Sequence, residues 1–367
     1  MRIVEIMYSL SAGGAERFIA DISNELSKDN NNEVFLVTIV DDTIGNNKHY
    51  FNDLSPKIKY KCLGCKHGLS LESIVETYKI IKSLKPDIVH MHCNTMLLYI
   101  PSLIYKKTKY VYTFHNLVNK CYKFKFQKYI NYFYLKRNCF QPVTISKLCQ
   151  QSYIEFYHLN NSVCITNGRS RPSLTNEVNN TKKIINSFKI HTDDKIFLHV
   201  ARCAPQKNQK LLFDTFIKLS KENKHFQLII IGAGYEDSPY YQKLKDNPAF
   251  HFMGVKQNIG DYLASADFFV LSSIYEGLPL SLLEAISIGC IPISTPVGGV
   301  PDVITNGVNG ILSKSISEED FYTAIVQAIN HPSQINPNNV IKSYEARFSM
   351  TNCAKSYMML FEKLINK

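Results

Sequence analysis

Two basic residues, Arg202 and Lys207, stand five positions apart in a segment that also contains Pro205. A guanidinium and an ammonium group can together neutralise a diphosphate that has no bound metal ion. The sequence contains no Asp-x-Asp motif, which is the usual carboxylate clamp for a metal–diphosphate substrate. These residues predict a metal-free diphosphate site; the alternative is an ordinary surface loop that carries two cations.

Two carboxylates, Glu276 and Glu284, stand eight positions apart and enclose Gly277-Leu278-Pro279. Pro279 suits a first helical turn and Gly289 suits a helix end, so Glu276 should lie on a loop and Glu284 within a helix. A carboxylate can accept hydrogen bonds from two neighbouring hydroxyls, as on a ribose or hexose ring. The alternatives are a buried carboxylate that is compensated by protein hydrogen bonds and, for Glu284, an exposed helical glutamate.

A glycine pair, Gly13-Gly14, follows an apolar segment at residues 2–8 and precedes a helix-like segment at residues 15–27. Glycines let backbone N–H groups approach a phosphate closely, and a helix N-terminus adds positive potential. The pair is equally consistent with a plain tight turn between a strand and a helix.

Apolar segments of strand length alternate with longer amphipathic segments along the whole chain. This alternation indicates βα units and an α/β fold with parallel sheets. The polar stretch Gly168–Thr181 is typical of a linker. We therefore predict one domain over residues 1–170 and a second over residues 171–349, followed by a terminal segment over residues 350–367. The natural ligand site is a cleft between the two domains. The predicted strands are residues 2–8, 33–40, 87–91, 109–114, 162–166, 196–200, 227–231, 250–253, 268–271 and 291–294.

Six short motifs occur in the order that is typical of one enzyme family. The chain resembles the retaining GT-B glycosyltransferases of family 4 over nearly its whole length. The resemblance implies two Rossmann-like domains facing across a cleft, a nucleotide-sugar held mainly by the C-terminal domain, and a last helix at residues 350–365 that packs back on the first domain. The motifs are Gly13-Gly14-Ala15-Glu16, Thr113-Phe114-His115-Asn116, Arg202 with Lys207-Asn208, Glu276 with Glu284, and the segments 296–302 and 306–310.

The resemblance also implies roles for residues of the C-terminal domain. Arg202 and Lys207 would hold the diphosphate and stabilise the leaving group. Glu284 would bind the ribose hydroxyls, and Glu276 with the Gly277–Leu278 backbone would contact the transferred sugar.

In the N-terminal domain, the resemblance implies that Gly14 brings a backbone N–H to the phosphates. His115 would lie at the anomeric centre near the acceptor as a catalytic residue; the alternative is a strand-end histidine buried for packing. Two positions depart from the family pattern. Asp302 stands where Glu is frequent, and Arg169 stands where an acid frequently follows, which leaves the role of Asn167 open.

The function implied by the resemblance is retaining, metal-independent transfer of a hexose-type sugar from a nucleotide-sugar, with UDP-sugar preferred. The acceptor would be a glycan or a lipid-linked saccharide of bacterial surface polysaccharide, lipopolysaccharide or capsule biosynthesis. No cofactor and no nucleic-acid partner are expected. The alternatives are a nucleotide-sugar epimerase of the same fold and, more distantly, a basic nucleic-acid-binding protein.

The charge of the chain is concentrated in one segment. The chain carries a formal net charge of +11, and residues 88–154 hold 10 of its 42 basic residues and none of its 31 acidic ones. Within it, residues 119–138 interleave six basic with seven aromatic side chains. Such a segment can bind single-stranded nucleic acid, can lie on an anionic membrane, or can be a solvated helix whose aromatics belong to the core.

The sequence shows no signal-peptide pattern at its start and no apolar run near the roughly 20 residues that span a bilayer. We therefore expect a cytoplasmic protein, with peripheral attachment to the inner face of the plasma membrane through the basic segment as an option. Its 10 cysteines should then be thiols, and one Cys-x-x-Cys pair, Cys62 and Cys65, is the only spacing that suggests zinc or redox chemistry.

Overall fold

The computed structural model describes residues 1–43, 45, 47–121 and 125–366. The chain divides into two compact units, one formed by Met1–Arg169 with Met350–Lys367 and the other by Ser170–Ser349. Each unit contains one sheet of parallel strands with helices, so the predicted α/β fold with two parallel sheets is confirmed. No helix of the described residues is long and apolar enough to cross a membrane.

The first unit is built on a seven-stranded sheet. Its strands are β1 (Arg2–Met7), β2 (Glu33–Val40), β3 (Lys59–Cys65), β4 (Ile88–Met91), β5 (Lys109–Phe114), β6 (Gln141–Thr144) and β7 (Val163–Cys164). Its helices up to residue 169 are α1 (Gly14–Leu26), α2 (Leu71–Leu84), α3 (Tyr99–Ile104), α4 (Lys125–Lys136) and α5 (Lys147–Tyr157). The strand order is β3-β2-β1-β4-β5-β6-β7, and the central strands are almost completely buried, as expected for a parallel sheet covered on both faces.

The second unit has a six-stranded parallel sheet. Its strands are β8 (Lys195–Val200), β9 (Phe226–Ile231), β10 (Phe250–Phe252), β11 (Phe268–Leu271), β12 (Ile291–Ser294) and β13 (Ile311–Leu312), in the order β10-β9-β8-β11-β12-β13. Its helices are α6 (Val178–Ser187), α7 (Gln209–Lys221), α8 (Pro239–Leu244), α9 (Ile259–Leu263), α10 (Leu280–Ile288), α11 (Val300–Val303), α12 (Glu318–Asn330) and α13 (Pro337–Arg347).

The last helix, α14 (Met350–Ile365), packs against α1 in the first unit. Its Tyr357 and Phe361 are completely buried there. The Tyr357 hydroxyl lies 3.0 Å from Oγ1 of Thr113 on β5, and Thr351 donates to Glu25 of α1 over 2.8 Å. This helix therefore covers part of the sheet that the N-terminal residues build.

All ten strands predicted from the sequence are present, and the part of the chain that the structure describes contains three further strands that the sequence analysis did not predict. Strand β3 lies at the sheet edge and exposes its lysines, so it lacks the apolar run that marks a buried strand. Strand β6 contains Pro142, which argues against a strand in sequence. Strand β13 is only two residues long.

The Cys62–Cys65 pair lies on β3, where it makes no joint site. Cys65 is buried, whereas the Cys62 thiol donates to the Val40 carbonyl over 3.3 Å. All ten cysteines are free thiols, as expected.

The stretch predicted as a linker is partly structured. Helix α6 already begins at Val178, and Asp261 accepts hydrogen bonds from both the backbone N–H and the hydroxyl of Thr175. Arg169, at the start of the stretch, is 6% exposed and forms an ion pair with the buried Asp21 of α1. This pairing gives a structural reason for an arginine where the family often has an acid.

Candidate active site

The predicted diphosphate-binding residues lie at the topological switch point of the second unit. Strands β8 and β11 are neighbours at the centre of the sheet, while the chain continues from β8 to β9 on one side and from β11 to β12 on the other. Ligands of open α/β sheets bind outside the carboxyl ends of the strands at such a point. Arg202 and Lys207 follow β8, and Glu276 follows β11, so the topology brings the two predicted motifs to one place.

Glu276 is a buried carboxylate that the protein itself compensates. Its side chain is 6% exposed, and Lys207 Nζ lies 2.6 Å from Oε1. Ser273 Oγ also donates to Oε1 over 2.6 Å, and Gln206 Nε2 donates to Oε2 over 3.3 Å. Hydrogen bonds that compensate burial were one alternative read from the sequence, and they are present; contact with a sugar remains a prediction. An ammonium group has three donors, so Lys207 can still donate to a ligand while it holds Glu276.

Arg202 lies on the same loop with its side chain exposed. The loop backbone is fixed on two sides, because Gln209 Nε2 donates to the Arg202 carbonyl over 2.9 Å and Cys203 donates to Ala233 over 2.8 Å. Among the described residues, no carboxylate forms an ion pair with Arg202. Its charge is therefore available to an anion, and its position is set by the fold.

Two glycines let the loops of this site approach each other closely. Gly298 has a φ of +58°, and a Cβ there would lie 1.8 Å from the carbonyl oxygen of Glu276. Gly299 next to it donates to the carbonyl of Gly277 over 2.8 Å. Gly232 faces Ala201 in the same way, with 2.0 Å between a Cβ and the carbonyl oxygen. The segment 296–302, noted in the sequence as a family motif, thus supports the backbone around Glu276.

Helix α10 carries the second carboxylate of the motif. Glu284 is partly exposed, while its neighbours Leu283 and Ala285 are buried. Gly289 ends the helix with a φ of +91°, as predicted, whereas Pro279 is the residue before the first turn. Leu278 is buried, with 6% of its surface exposed, so its side chain belongs to the interior, and the backbone contact that the resemblance implied stays a prediction.

The glycine pair of the first unit opens α1, with Gly13 as the residue that caps the helix. A Cβ on Gly13 would lie 2.2 Å from Oε2 of Glu16, whereas a Cβ on Gly14 would meet nothing within 4 Å. Because the Glu16 side chain is flexible and can move, neither position requires glycine on steric grounds. The Glu16 carboxylate lies beside Gly13 in the first turn of the helix, where the positive end of the helix dipole favours negative charge, and the predicted contact of Gly14 with a phosphate stays a prediction.

His115 directly follows β5, so it lies at the carboxyl ends of the strands of the first sheet. The switch point of this sheet, between β1 and β4, is one strand away on the same side. It is partly buried, and its Nε2 lies 2.9 Å from Nδ1 of His92, which follows β4. The other ring nitrogen of His92 lies 2.7 Å from Oε2 of Glu5 on β1. His90 also contacts this carboxylate, with Nδ1 3.0 Å from Oε2.

The sequence analysis missed His92, which contacts His115, and also Glu5 and His90, which are joined to His115 through His92. Two signals for them are present in the sequence. One is Glu5 within the apolar segment 2–8, and the other is the alternation of His90 and His92 at the end of the apolar segment 87–91. Alternation places His90 and His92 on one face of a strand, and a charged residue inside a buried strand needs partners. What the sequence lacks is the register that sets Glu5 beside His90.

The surroundings of Glu5, His92 and His115 set the charge of these three groups at neutral pH. Burial raises the pKa of Glu5, but attraction to His90 and hydrogen bonds from His90 and His92 outweigh burial and lower it to about 2. Burial and the neighbouring His90 lower the pKa of His92 to about 4. Burial, with His92 and His90 nearby, holds the pKa of His115 well below its usual value. Glu5 is therefore ionised, while His92 and His115 are neutral.

Comparisons with known proteins agree with this architecture. The family model described as Glycosyltransferase Family 4 matches residues 12–169, and the model described as Glycosyl transferases group 1 matches residues 180–347. The uncharacterized glycosyltransferase MJ1069 of Methanocaldococcus jannaschii is 27% identical over 308 residues, which span 79% of this chain and 77% of that protein.

Two further proteins are similar over most of the chain. An Escherichia coli enzyme named UDP-Gal:alpha-D-GlcNAc-diphosphoundecaprenol alpha-1,3-galactosyltransferase is 24% identical over 277 residues, 70% of each chain. The crystal structure of Anabaena Alr3699/HepE in complex with UDP and glucose shares the fold, with a TM-score of 0.79 at 17% identity over 99% of this chain and 100% of that one. Together with the two family models, which follow one another along nearly the whole sequence, these matches show that the chain belongs to the GT-B glycosyltransferases of the family 4 type.

Proposed function

We propose that this glycosyltransferase transfers a hexose-type sugar from a UDP-sugar, with retention and without a metal ion, to a lipid-linked saccharide. The observation that carries the proposal is the switch point of the second unit, where Lys207 and Arg202 are the cations and Glu276 is already held by protein donors. The UDP in the solved relative and the diphosphoundecaprenol acceptor in the name of the E. coli relative support the choice of donor and acceptor.

In the proposed reaction, the bond between the anomeric carbon and the diphosphate oxygen breaks while the acceptor oxygen bonds to that carbon. The acceptor proton passes to the departing diphosphate. Lys207 and Arg202 stabilise the negative charge that develops on the leaving group, because preorganised cations act most strongly where charge appears in the transition state. Glu276 has three donors on its two oxygens, which favours attack by the acceptor on the same face over a covalent intermediate on Glu276.

The test combines a donor panel with product analysis. We expect UDP-sugars to raise the unfolding temperature, because a ligand at about 100-fold over its Kd adds about 2.7 kcal/mol to the state it binds. UDP release should then require an added lipid-linked acceptor and should persist in EDTA. An isomerised donor formed without acceptor would instead support the epimerase alternative, and loss of transfer in EDTA would contradict metal independence.

We further propose that the enzyme attaches peripherally to an anionic membrane through α3 and α4. Tyr129, Tyr132 and Phe133 of α4 are exposed, which contradicts the reading that these aromatics belong to the core. The Arg137 guanidinium lies 3.8 Å from the ring centre of Phe133, so cationic and aromatic groups share one surface. Helix α3 adds Ile100, Leu103 and Ile104, all about half exposed, and is followed by the exposed Lys106 and Lys107.

Aromatic rings beside basic groups suit the headgroup region of an anionic bilayer. Tyr134, by contrast, stacks on Tyr99 inside the unit. Residues 122–124 of the basic segment, and the side chains of Lys120, Lys125 and Phe126, lie outside the described part of the chain.

We expect the triple variant Lys106→Glu, Lys107→Glu, Lys136→Glu to lose most binding to anionic liposomes, because each lysine near such a surface contributes about 1 kcal/mol. Wild-type pelleting should fall as salt rises. The matched control reverses three exposed lysines of α7, Lys210, Lys218 and Lys221, with the same change in net charge. Equal losses in both triple variants would reject the α3–α4 surface, as would preferential binding to single-stranded oligonucleotides over vesicles.

A further inference from the structure

A layer of polar side chains crosses three neighbouring strands of the first unit. Glu5 on β1 is directly opposite His90 on β4, and β4 pairs with β5 on its other side. Because side chains alternate along a strand, Glu5, His90, His92, Thr113 and His115 share one face. The ring of Phe18 of α1 packs on His115 and His92, with distances of 5.4 and 5.9 Å between ring centres. The ring centre of Tyr357 of α14 lies 4.8 Å from that of His90.

The hydrogen bonds of this chain of residues donate in one direction, from His115 to His92 and from His92 to Glu5. An ionised carboxylate only accepts, so the 2.7 Å contact with Glu5 requires the proton of His92 to be on Nε2. A neutral His92 then has a bare Nδ1, which accepts from His115 over 2.9 Å. His115 must therefore carry its proton on Nε2, and its Nδ1 keeps a lone pair. The described residues offer no hydrogen bond to that Nδ1.

Burying these polar and charged side chains costs free energy that apolar side chains would not cost. A buried ionic or polar cluster is often no more stable than apolar residues of the same volume. Glu5 and His90 are 0% exposed and His92 is 5% exposed, yet Phe18 and Leu97 show that the same interior accommodates apolar side chains. His115 is the member of the chain Glu5–His92–His115 that reaches the partly exposed edge of the sheet.

We propose that Glu5 and His92 are positioning residues that fix the tautomer of His115 and present its Nδ1 as an acceptor to a substrate hydroxyl. The proposal rests on the proposed transferase function, since the hydroxyl would belong to the transferred sugar or the acceptor. In the reverse tautomer, Nδ1–H would meet the hydroxyl oxygen as a donor and would leave the hydroxyl proton without a partner.

The direct test is the tautomer of His115 in the full chain, read by ¹⁵N NMR from the shifts and couplings of its two ring nitrogens after selective histidine labelling. We expect Nε2–H in the wild type. In Glu5→Gln the amide NH₂ can donate to His92, which would then donate from Nδ1 and drive the proton of His115 to Nδ1. Nδ1–H in the wild type, or an unchanged tautomer in Glu5→Gln, would overturn the proposal.

Activity supplies the second readout. We expect kcat of Glu5→Gln to fall about 10- to 100-fold, the range known for residues that orient metal-bound histidines through their second ring nitrogen, while UDP binding at the second unit stays unchanged. If Glu5→Gln does not fold, His92→Phe removes the link and should leave His115 in a mixture of tautomers; one pure Nε2–H form in that variant would also overturn the proposal.

Tyr357→Phe is the matched control. It removes the 3.0 Å contact with Thr113 from the same buried layer but does not touch His92 or His115, so tautomer and kcat should both stay at the wild-type values. A tautomer change in Tyr357→Phe would contradict the path through His92. If the wild-type chain shows the expected tautomer but transfers no sugar, the proposed function fails while the positioning of His115 stands.

Discussion

Lys207→Ala is expected to lower kcat about 10²- to 10³-fold while the chain stays folded. Loss of one preorganised charge partner of a leaving group typically has this effect on rate, because the interaction is strongest in the transition state. Glu276 keeps its hydrogen bonds from Ser273 and Gln206 in the variant, so its burial remains compensated. The measurement is steady-state transfer from UDP-sugar, with the unfolding temperature as the check on folding.

Lys210→Ala is the matched control for this prediction. Lys210 is three residues further along, is exposed, and pairs with Asp214 on the surface of α7. It removes the same charge from the same region and should leave kcat within about twofold of the wild type, since exposed pairs contribute little. A Lys207→Ala enzyme with a kcat near that of Lys210→Ala would exclude Lys207 from leaving-group stabilisation.

The second large effect is on stability. Arg169→Ala is expected to lower the free energy of unfolding of the first unit by about 3 kcal/mol, because it leaves the Asp21 carboxylate buried without its main cation. Arg17 lies 3.0 Å from the other oxygen of Asp21 and compensates part of the loss, which places the value at the low end for a broken buried pair. Hydrogen exchange should rise in peptides from residues 1–169.

Arg171→Ala provides the comparison two residues later. Its guanidinium pairs with Glu345 at the surface, where both side chains are about half exposed. Such pairs contribute less than about 1 kcal/mol, so exchange in both units should stay near the wild-type values. Equal destabilisation by the two alanine variants would show that burial of the Arg169–Asp21 pair has no special weight.

The strands around both switch points could be predicted because most of their residues are apolar and polar or charged residues lie on both sides of each run. The motifs Arg202–Asn208 and Glu276–Glu284 could also be predicted, because each is a local pattern of neighbouring residues that follows a predicted strand. Strand β3 could not be found, because an edge strand with alternating lysines resembles a loop. Strand β6 was missed because Pro142 argues against a strand, although its neighbours pair normally with β5.

The contacts between Glu5, His92 and His115 could not be predicted from the sequence, for a different reason. The three residues lie on segments separated by 87 and 23 positions, and only the order and register of β1, β4 and β5 bring them together. The exposed side chains of α4 could not be predicted either. The sequence shows that the segment is basic and aromatic, but which side chains face solvent depends on how the helix is rotated against the rest of the unit. Tyr134 turned inward and Tyr129 outward, five residues apart on the same helix.

The position of α14 has a consequence for how the protein is made. Residues 170–349 form a continuous unit, whereas the unit that starts at Met1 contains α14, which leaves the ribosome after that continuous unit. Domains generally fold as units during synthesis. Until α14 arrives, the faces of α1 and His90 that Tyr357 and Phe361 cover remain open to water. The unit whose synthesis begins first therefore receives its last helix only after the second unit has been synthesised.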